Sequence, residues 1–260
     1  ETTIGIDIDR NKHYDLYIYY ASRAPVYIGN QLDAKRKAVI PNGNDVRPIE
    51  KWFDYVFCQA EDNFRYFDES EKGVLLRPCV IIPVDHTQEV EGLPEEFFLT
   101  VFNPYELDRH YEDGFKPYKG YDLLYELADY LSMPLVWCHC DESVKIAHNI
   151  KKHPNIIHMH NLEQEKMYSL YEHCTAYVSF SREESFGWAV ADALMYNKPV
   201  ISRRVGVISS LRPEEKGLYL YKDRDELKAL LGRRSFEDGD YDKHPFSVKA
   251  FEKKMMALCK

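Results

Sequence analysis

No apolar run in these 260 residues approaches the roughly 18 residues that a helical membrane span requires. No charged, then apolar, then small-residue leader opens the chain, and its first residue is not Met. Glu1 is therefore read as a cut inside a longer polypeptide. Basic residues are in deficit, with 34 Lys and Arg against 43 Asp and Glu and a formal charge of −9. A phosphate backbone demands a net basic footprint, so nucleic acid is excluded as a general partner, while a local pocket for one small anion is not. Cysteine is sparse: the six sit mostly in apolar runs such as Tyr55-Val56-Phe57-Cys58 and read as buried, reduced thiols of a reducing, cytoplasmic setting. Cys138-His139-Cys140 lacks the usual Cys-x2-Cys spacing and no second pair follows, so no zinc site is expected even with His148 or His153 nearby. Internal repeats and low-complexity tracts are missing too.

Apolar content is present in full, at 45%, enough for a packed core. Short apolar runs alternate with amphipathic stretches. Strands are expected at 3–8, 15–20, 38–41, 53–58, 74–78 and 80–83, with a short helix at 60–67. The acidic, Pro-bounded stretch 85–96 reads as a linker. A second block begins with a strand at 97–102 and a long loop, then a helix at 120–131 with Leu123, Leu124, Leu127 and Leu131 on one face. Further strands are expected at 135–138, 155–159, 176–180, 199–202 and 217–221. Helices are expected at 164–173, 187–196, 225–231 and 246–259. Alternation at this pace implies βαβ units and parallel sheets, an α/β protein. The division drawn is 1–90, 91–245 and a terminal helix at 246–260.

The most informative stretch is Glu184-Ser185-Phe186-Gly187-Trp188-Ala189-Val190-Ala191-Asp192, followed by Pro199-Val200-Ile201-Ser202. It reads as a turn, a helix and a strand. Parallel sheets bind ligands at the carboxyl ends of strands, where helix N-termini point. Backbone N–H groups at the start of the helix after Gly187 suit an anion, and glycine permits close backbone approach. Carboxylates need neutral hydroxyl donors, which sugars and ribose supply. Eight helical residues rise by roughly 12 Å, about the span of a nucleotide sugar from hexose to ribose.

These residues resemble the carboxylate–x7–carboxylate region of retaining GT-B glycosyltransferases, especially glycosyltransferase family 4. Lys119-Gly120-Tyr121-Asp122-Leu123-Leu124 resembles the family's Lys-Gly-x-x-x-Leu segment, whose lysine binds the donor diphosphate. Residues 155–161 resemble the strand and loop beside the nucleobase, and 202–206 the loop near the diphosphate and sugar. Phe246-Ser247 resembles the start of the family's C-terminal helix. The likeness runs in order from Phe97 to the end, about 160 residues.

The resemblance implies a GT-B-like fold of two Rossmann-like lobes with parallel sheets, the N-terminal acceptor-side lobe reduced. It implies transfer of a hexosyl or deoxyhexosyl group from a UDP- or GDP-sugar to a hydroxyl of a glycan, with retention, no metal and no cofactor. Glu184 is the expected catalytic carboxylate. Lys119, Gly120, Asn103, Arg109, His160, Asn161, Leu162, Ser185, Phe186, Gly187, Asp192 and Arg204 are expected to line the donor. The chain also departs from the pattern. Asp192 stands where the family usually has Glu, one methylene longer. Phe102-Asn103-Pro104-Tyr105 replaces the family's Gly-Arg, leaving Arg109, Lys116, Arg203 or Arg204 to supply the missing cation. Val207 replaces a second glycine after Gly206, and the early Gly-rich acceptor loop is not seen. Asp7-Ile8-Asp9 reads as a strand end rather than a metal motif. The shortened first lobe keeps two alternatives open: one domain of a multidomain transferase or a non-catalytic nucleotide-sugar-binding lobe. A GT-B-fold nucleotide-sugar epimerase is the third reading.

Overall fold

The computed structural model describes residues 13, 16–21, 34–41, 53–64, 72–80, 88–104, 108–111, 114–140 and 152–258. Expectations for 3–8, Asp7 and Asp9, 81–83, His148 and Cys259 lie outside the described residues. Two compact units emerge: Glu1–Cys79 together with Pro245–Lys260, and Val80–His244.

The first unit carries four parallel strands in the order β1 (Tyr17–Ala21), β2 (Lys37–Pro41), β3 (Tyr55–Cys58) and β4 (Gly73–Leu75). A short helix α1 (Glu61–Phe64) follows β3. Ala38, Phe57 and Leu76 are buried at its core, and Phe251, Met255 and Leu258 of the last helix, α6 (Val248–Leu258), pack against them. The amphipathic pattern of that helix therefore serves the first sheet.

The second unit is built on β5 (Phe98–Val101), β8 (Leu135–His139), β9 (Ile156–His160), β10 (Ala176–Val178), β11 (Val200–Ser202) and β12 (Leu218–Leu220). All pairings are parallel, in the spatial order β12-β11-β10-β5-β8-β9. Every residue of β8 is buried, as expected of a central strand covered on both faces. Helices α2 (Tyr121–Leu127), α3 (Gln164–His173), α4 (Trp188–Met195) and α5 (Arg224–Leu231) alternate with the strands. Asp223 caps α5, its carboxylate accepting from the N–H groups of Asp225 at 3.0 Å and Glu226 at 2.9 Å. Leu124, Leu127, Leu135, Trp137, Val178 and Ile201 share one buried core.

The long loop expected after β5 contains structure. Residues Asp108–Tyr111 (β6) and Gly114–Pro117 (β7) form an antiparallel hairpin, with Arg109 opposite Lys116. Its polar, Pro- and Gly-containing sequence carries no alternating apolar pattern, so periodicity alone does not reveal it. The helix expected at 120–131 closes early, tightening into a 3-10 turn at Ala128–Tyr130.

Read from β9, the strand order is β9-β8-β5-β10-β11-β12, in which the chain winds outward from β5 in one direction and from β10 in the other. Loops leaving the carboxyl ends of adjacent strands at such a reversal diverge to opposite faces and leave a crevice between them. The segments starting at Phe102 and Ser179 leave the sheet there.

Candidate functional site

The loop after β10 runs from Ser179 to Gly187 and supplies the central carboxylate. Glu184 Oε1 lies 2.5 Å from Lys119 Nζ and accepts a hydrogen bond from Ser181 Oγ at 2.8 Å. Both side chains of the ion pair are largely buried, Lys119 at 19% and Glu184 at 14% exposure, so solvent screens the contact less than at an open surface. The Lys119 ammonium also stands 5.2 Å from the Tyr118 ring centre, within cation–π range.

Three glycines make this convergence sterically feasible. Gly120 adopts φ 71°, and a Cβ there would stand 2.2 Å from the carbonyl oxygen of Phe180. Gly206, at φ 56°, would place a Cβ 2.5 Å from the Phe186 carbonyl oxygen and 2.8 Å from Glu184 Cβ. Gly187 precedes α4 with φ 86°, its Cβ position 3.6 Å from Glu184 Cγ. Left-handed backbone at all three glycines, with a missing side chain needed at Gly120 and Gly206, thus lets these loops close around the segment that carries Glu184. Val207 N–H donates to the Phe186 carbonyl at 2.6 Å and locks the third loop.

Asp192 lies on α4, five residues past Gly187. Burial lifts its carboxyl from 3.8 to about 6. Its carboxyl makes no hydrogen bond or ion pair with a described residue. Its charge is felt by Tyr171 of α3, Tyr177 of β10 and Tyr196, three rings of one stacked cluster. A half-buried carboxyl without a partner among the described residues is costly in charged form and open to an external donor.

A second cluster sits at the carboxyl ends of β5, β8 and β9. Asn103 Oδ1 accepts from Cys140 N–H at 2.9 Å. His139 Nε2 and His158 Nδ1 are 3.2 Å apart, and the rings of His139 and His160 are centred 4.3 Å apart. Burial, then the charges of His160 and Lys152, push the His158 imidazole toward neutrality, and its Nε2 is buried without a partner. Asn161 follows with φ 48°, its N–H donating to the His139 carbonyl. His160 and Asn161 are exposed and Leu162 half-buried.

The remaining expected residues spread around these two clusters. Ser185 is half-buried and Phe186 buried, its ring edge-on to the exposed Trp188 at 4.9 Å. Arg204 is engaged, its guanidinium donating to the carbonyls of Ser209 at 3.3 Å and Leu211 at 3.0 Å. Arg203 donates to the Lys222 carbonyl and lies over the Tyr221 ring. The Arg109 backbone lies in β6, and its side chain is outside the described residues. Among the described residues, no group of three or more His, Cys, Asp and Glu is arranged to hold a metal ion. Burial pushes the thiols of Cys58, Cys138 and Cys174 up to about 12, so they stay protonated.

Three residues of the central cluster escaped the sequence reading. Ser181 shares the oxygen of Glu184 that Lys119 holds. Arg182 and Asp122 form a bidentate ion pair at 2.8 and 2.7 Å between the loop after β10 and the first turn of α2. Nothing in the local sequence marks them, although their nearness to Glu184 and Lys119 was a usable signal.

Residues 113–233, which contain Lys119, Glu184 and Asp192, match the family model described as glycosyl transferases group 1. No curated protein matches the chain in sequence at a significant level. Among solved structures, TarM superposes with a TM-score of 0.64 at 14% identity, covering 96% of this chain and 56% of TarM. Sucrose-phosphate synthase of Thermosynechococcus elongatus gives 0.63 at 16% identity over 89% of this chain and 69% of that one. Anabaena HepE, in complex with UDP and glucose, gives 0.52 at 13% identity over 75% and 61%. The chain thus spans little more than half of TarM. Its α/β architecture of parallel sheets is that of GT-B glycosyltransferases, and residues 113–233 carry the glycosyl transferases group 1 match.

Proposed function

We propose that the second unit binds a UDP- or GDP-sugar and serves transfer of its hexosyl or deoxyhexosyl group to a hydroxyl of a glycan acceptor. The observation that carries this reading is the Lys119–Glu184 contact at the strand-order reversal, with the Glu184 side chain packed beside Gly187, the residue that opens α4. A diphosphate needs the first and the helix N–H groups; sugar hydroxyls need the second. The TarM structure from S. aureus solved with UDP and alpha-GlcNAc-glycerol, and the HepE complex, supply the chemical precedent.

In this reading the donor diphosphate draws the Lys119 ammonium to itself, and Glu184 turns to the sugar hydroxyls. As the glycosidic bond lengthens, positive charge develops on the sugar and negative charge on the leaving diphosphate. Glu184 stabilises the first and Lys119, with the N–H groups of α4, the second. This compensation works without a metal, and retention follows the family pattern. Asp192 accepts from ribose, and the backbone at 160–162 faces the base. The site requires no resident cofactor, and glycan synthesis in the cytoplasm, as one domain of a larger transferase, is the setting proposed.

Asp192 in place of the family's usual Glu, and Phe102-Asn103-Pro104-Tyr105 in place of its Gly-Arg, favour one competing reading, a nucleotide-sugar-binding lobe that does not catalyse. Incubation with UDP- and GDP-sugars and glycan acceptors, followed by product analysis, separates the two. Glycosylated product that disappears in Glu184→Ala supports transfer. Donor binding without turnover on any acceptor supports the binding lobe, and conversion of the sugar without acceptor would point to epimerisation instead.

A further inference from the structure

Two loops meet at the central cluster, and the charged pair between them has no role in binding as described so far. Arg182 Nη1 donates to the Pro117 carbonyl at 2.6 Å and to Asp122 Oδ1 at 2.8 Å, while Nη2 donates to Asp122 Oδ2 at 2.7 Å. Arg182 N–H also donates to the Tyr118 carbonyl at 2.8 Å. Its side chain is only 10% exposed, and that of Asp122 is 34% exposed. These bonds grip the chain on both sides of Lys119: residues 117 and 118 before it, residue 122 after it. From the same loop, two residues beyond Arg182, comes Glu184, the carboxylate that Lys119 meets. Gly120, pressed against the Phe180 carbonyl, leaves little room for either loop to slide.

We infer that Arg182 and Asp122 are positioning residues that set the Lys119 ammonium for a nucleoside diphosphate. This rests on the donor-binding reading above. A lysine side chain is a flexible point charge, whereas a bidentate guanidinium–carboxylate pair fixes both distance and angle. The clamp holds the lysine's backbone, so the ammonium starts within reach of the β-phosphate. Arg182 itself is consumed by Asp122 and the Pro117 carbonyl, and it acts through Lys119 rather than on the ligand.

A double-mutant cycle tests this, with calorimetric binding of UDP and of UMP to the full chain (GDP and GMP serve if the chain prefers guanine). Asp122→Asn is expected to weaken UDP about tenfold and to leave UMP within about twofold, since a misplaced charge costs most where a second phosphate needs it. In a Lys119→Ala background the same substitution is expected to change UDP affinity less than twofold, the non-additivity of residues acting through one another. A merely structural pair would lower both nucleotides together and would add to Lys119→Ala. That result overturns the inference while leaving the donor site standing, as does an Asp122→Asn protein that binds UDP like wild type. If Lys119→Ala leaves UDP and GDP affinity unchanged, or the wild type binds neither, the donor reading itself fails and the clamp with it. Should Asp122→Asn not fold, Asp122→Glu, which keeps the charge but alters the reach, carries the same comparison.

Discussion

The Lys119 ammonium lies 2.5 Å from Oε1 of Glu184, across 65 residues of chain. No local force makes this pair. It exists because β7 and α2 deliver one partner, the loop after β10 delivers the other, and glycine at 120 lets the two backbones touch. The functional proposal hangs on this convergence.

Glu184 is the group asked to stabilise developing charge, so its loss should appear mainly in turnover. Glu184→Gln is expected to lower kcat about 100- to 1000-fold, as for other preorganised electrostatic groups. Donor affinity should fall far less. Steady-state kinetics with the identified donor and acceptor measures both, and an unchanged kcat would remove Glu184 from catalysis.

Gly120 should tolerate no side chain. Gly120→Ala combines a left-handed backbone with a Cβ 2.2 Å from the Phe180 oxygen, and is expected to cost on the order of 2–4 kcal/mol. Gly92 is the control, with φ 77° and nothing within 4 Å of its Cβ position, so Gly92→Ala should cost only about 1 kcal/mol. Equal losses on denaturant unfolding would show that the contact with Phe180 does not matter.

Burial raises Asp192 from 3.8 to about 6. Because the folded protein binds this proton more tightly than the unfolded chain, the associated stability is present below about pH 4. It is lost as pH rises through about 6. Asp192→Asn removes that dependence, so the variant should gain on the wild type between pH 4 and 8, by on the order of 2–3 kcal/mol. Melting temperatures of both proteins across that range read the difference directly. A difference that stays flat with pH would show that Asp192 is solvated as an ordinary carboxylate.

Tyr241 offers a contrast between stability and site. Its hydroxyl hydrogen-bonds the Gly217 carbonyl at 2.7 Å and stands 2.9 Å from the Lys198 carbonyl, closing the segment 236–244 over β11 and β12. Tyr241→Phe should cost about 0.5–1.5 kcal/mol, the net worth of the lost hydrogen bonding, because the Gly217 carbonyl still accepts from Val200 N–H, and should leave nucleotide affinity as in the wild type. A parallel loss of affinity would tie that segment to the site.

Much of this was legible in the sequence. The alternation of apolar runs and amphipathic stretches marked the α/β class, and Lys119, Gly120, Glu184 and Gly187 carried the resemblance that led to the central cluster. The hairpin at 108–117 was not legible, since cross-strand pairing of polar residues leaves no periodic trace. Arg182 and Asp122 were missed for a different reason: each is an ordinary charged residue in its own segment, and only their pairing across 60 residues gives them meaning. Asp192 was legible as a position but not as a half-buried carboxyl without a partner among the described residues, because burial is decided by what the tertiary fold packs around α4.

The most direct test of the donor site is the thermal stability of wild type, Lys119→Ala and Glu184→Ala against a panel of UDP- and GDP-sugars. A ligand that binds only the folded chain stabilises it by about 2.7 kcal/mol at a hundred times its Kd. The expected result is a concentration-dependent rise in Tm for the wild type with at least one sugar nucleotide, reduced in both variants. Unchanged rises in both variants would contradict the assignment of Lys119 and Glu184 to the donor.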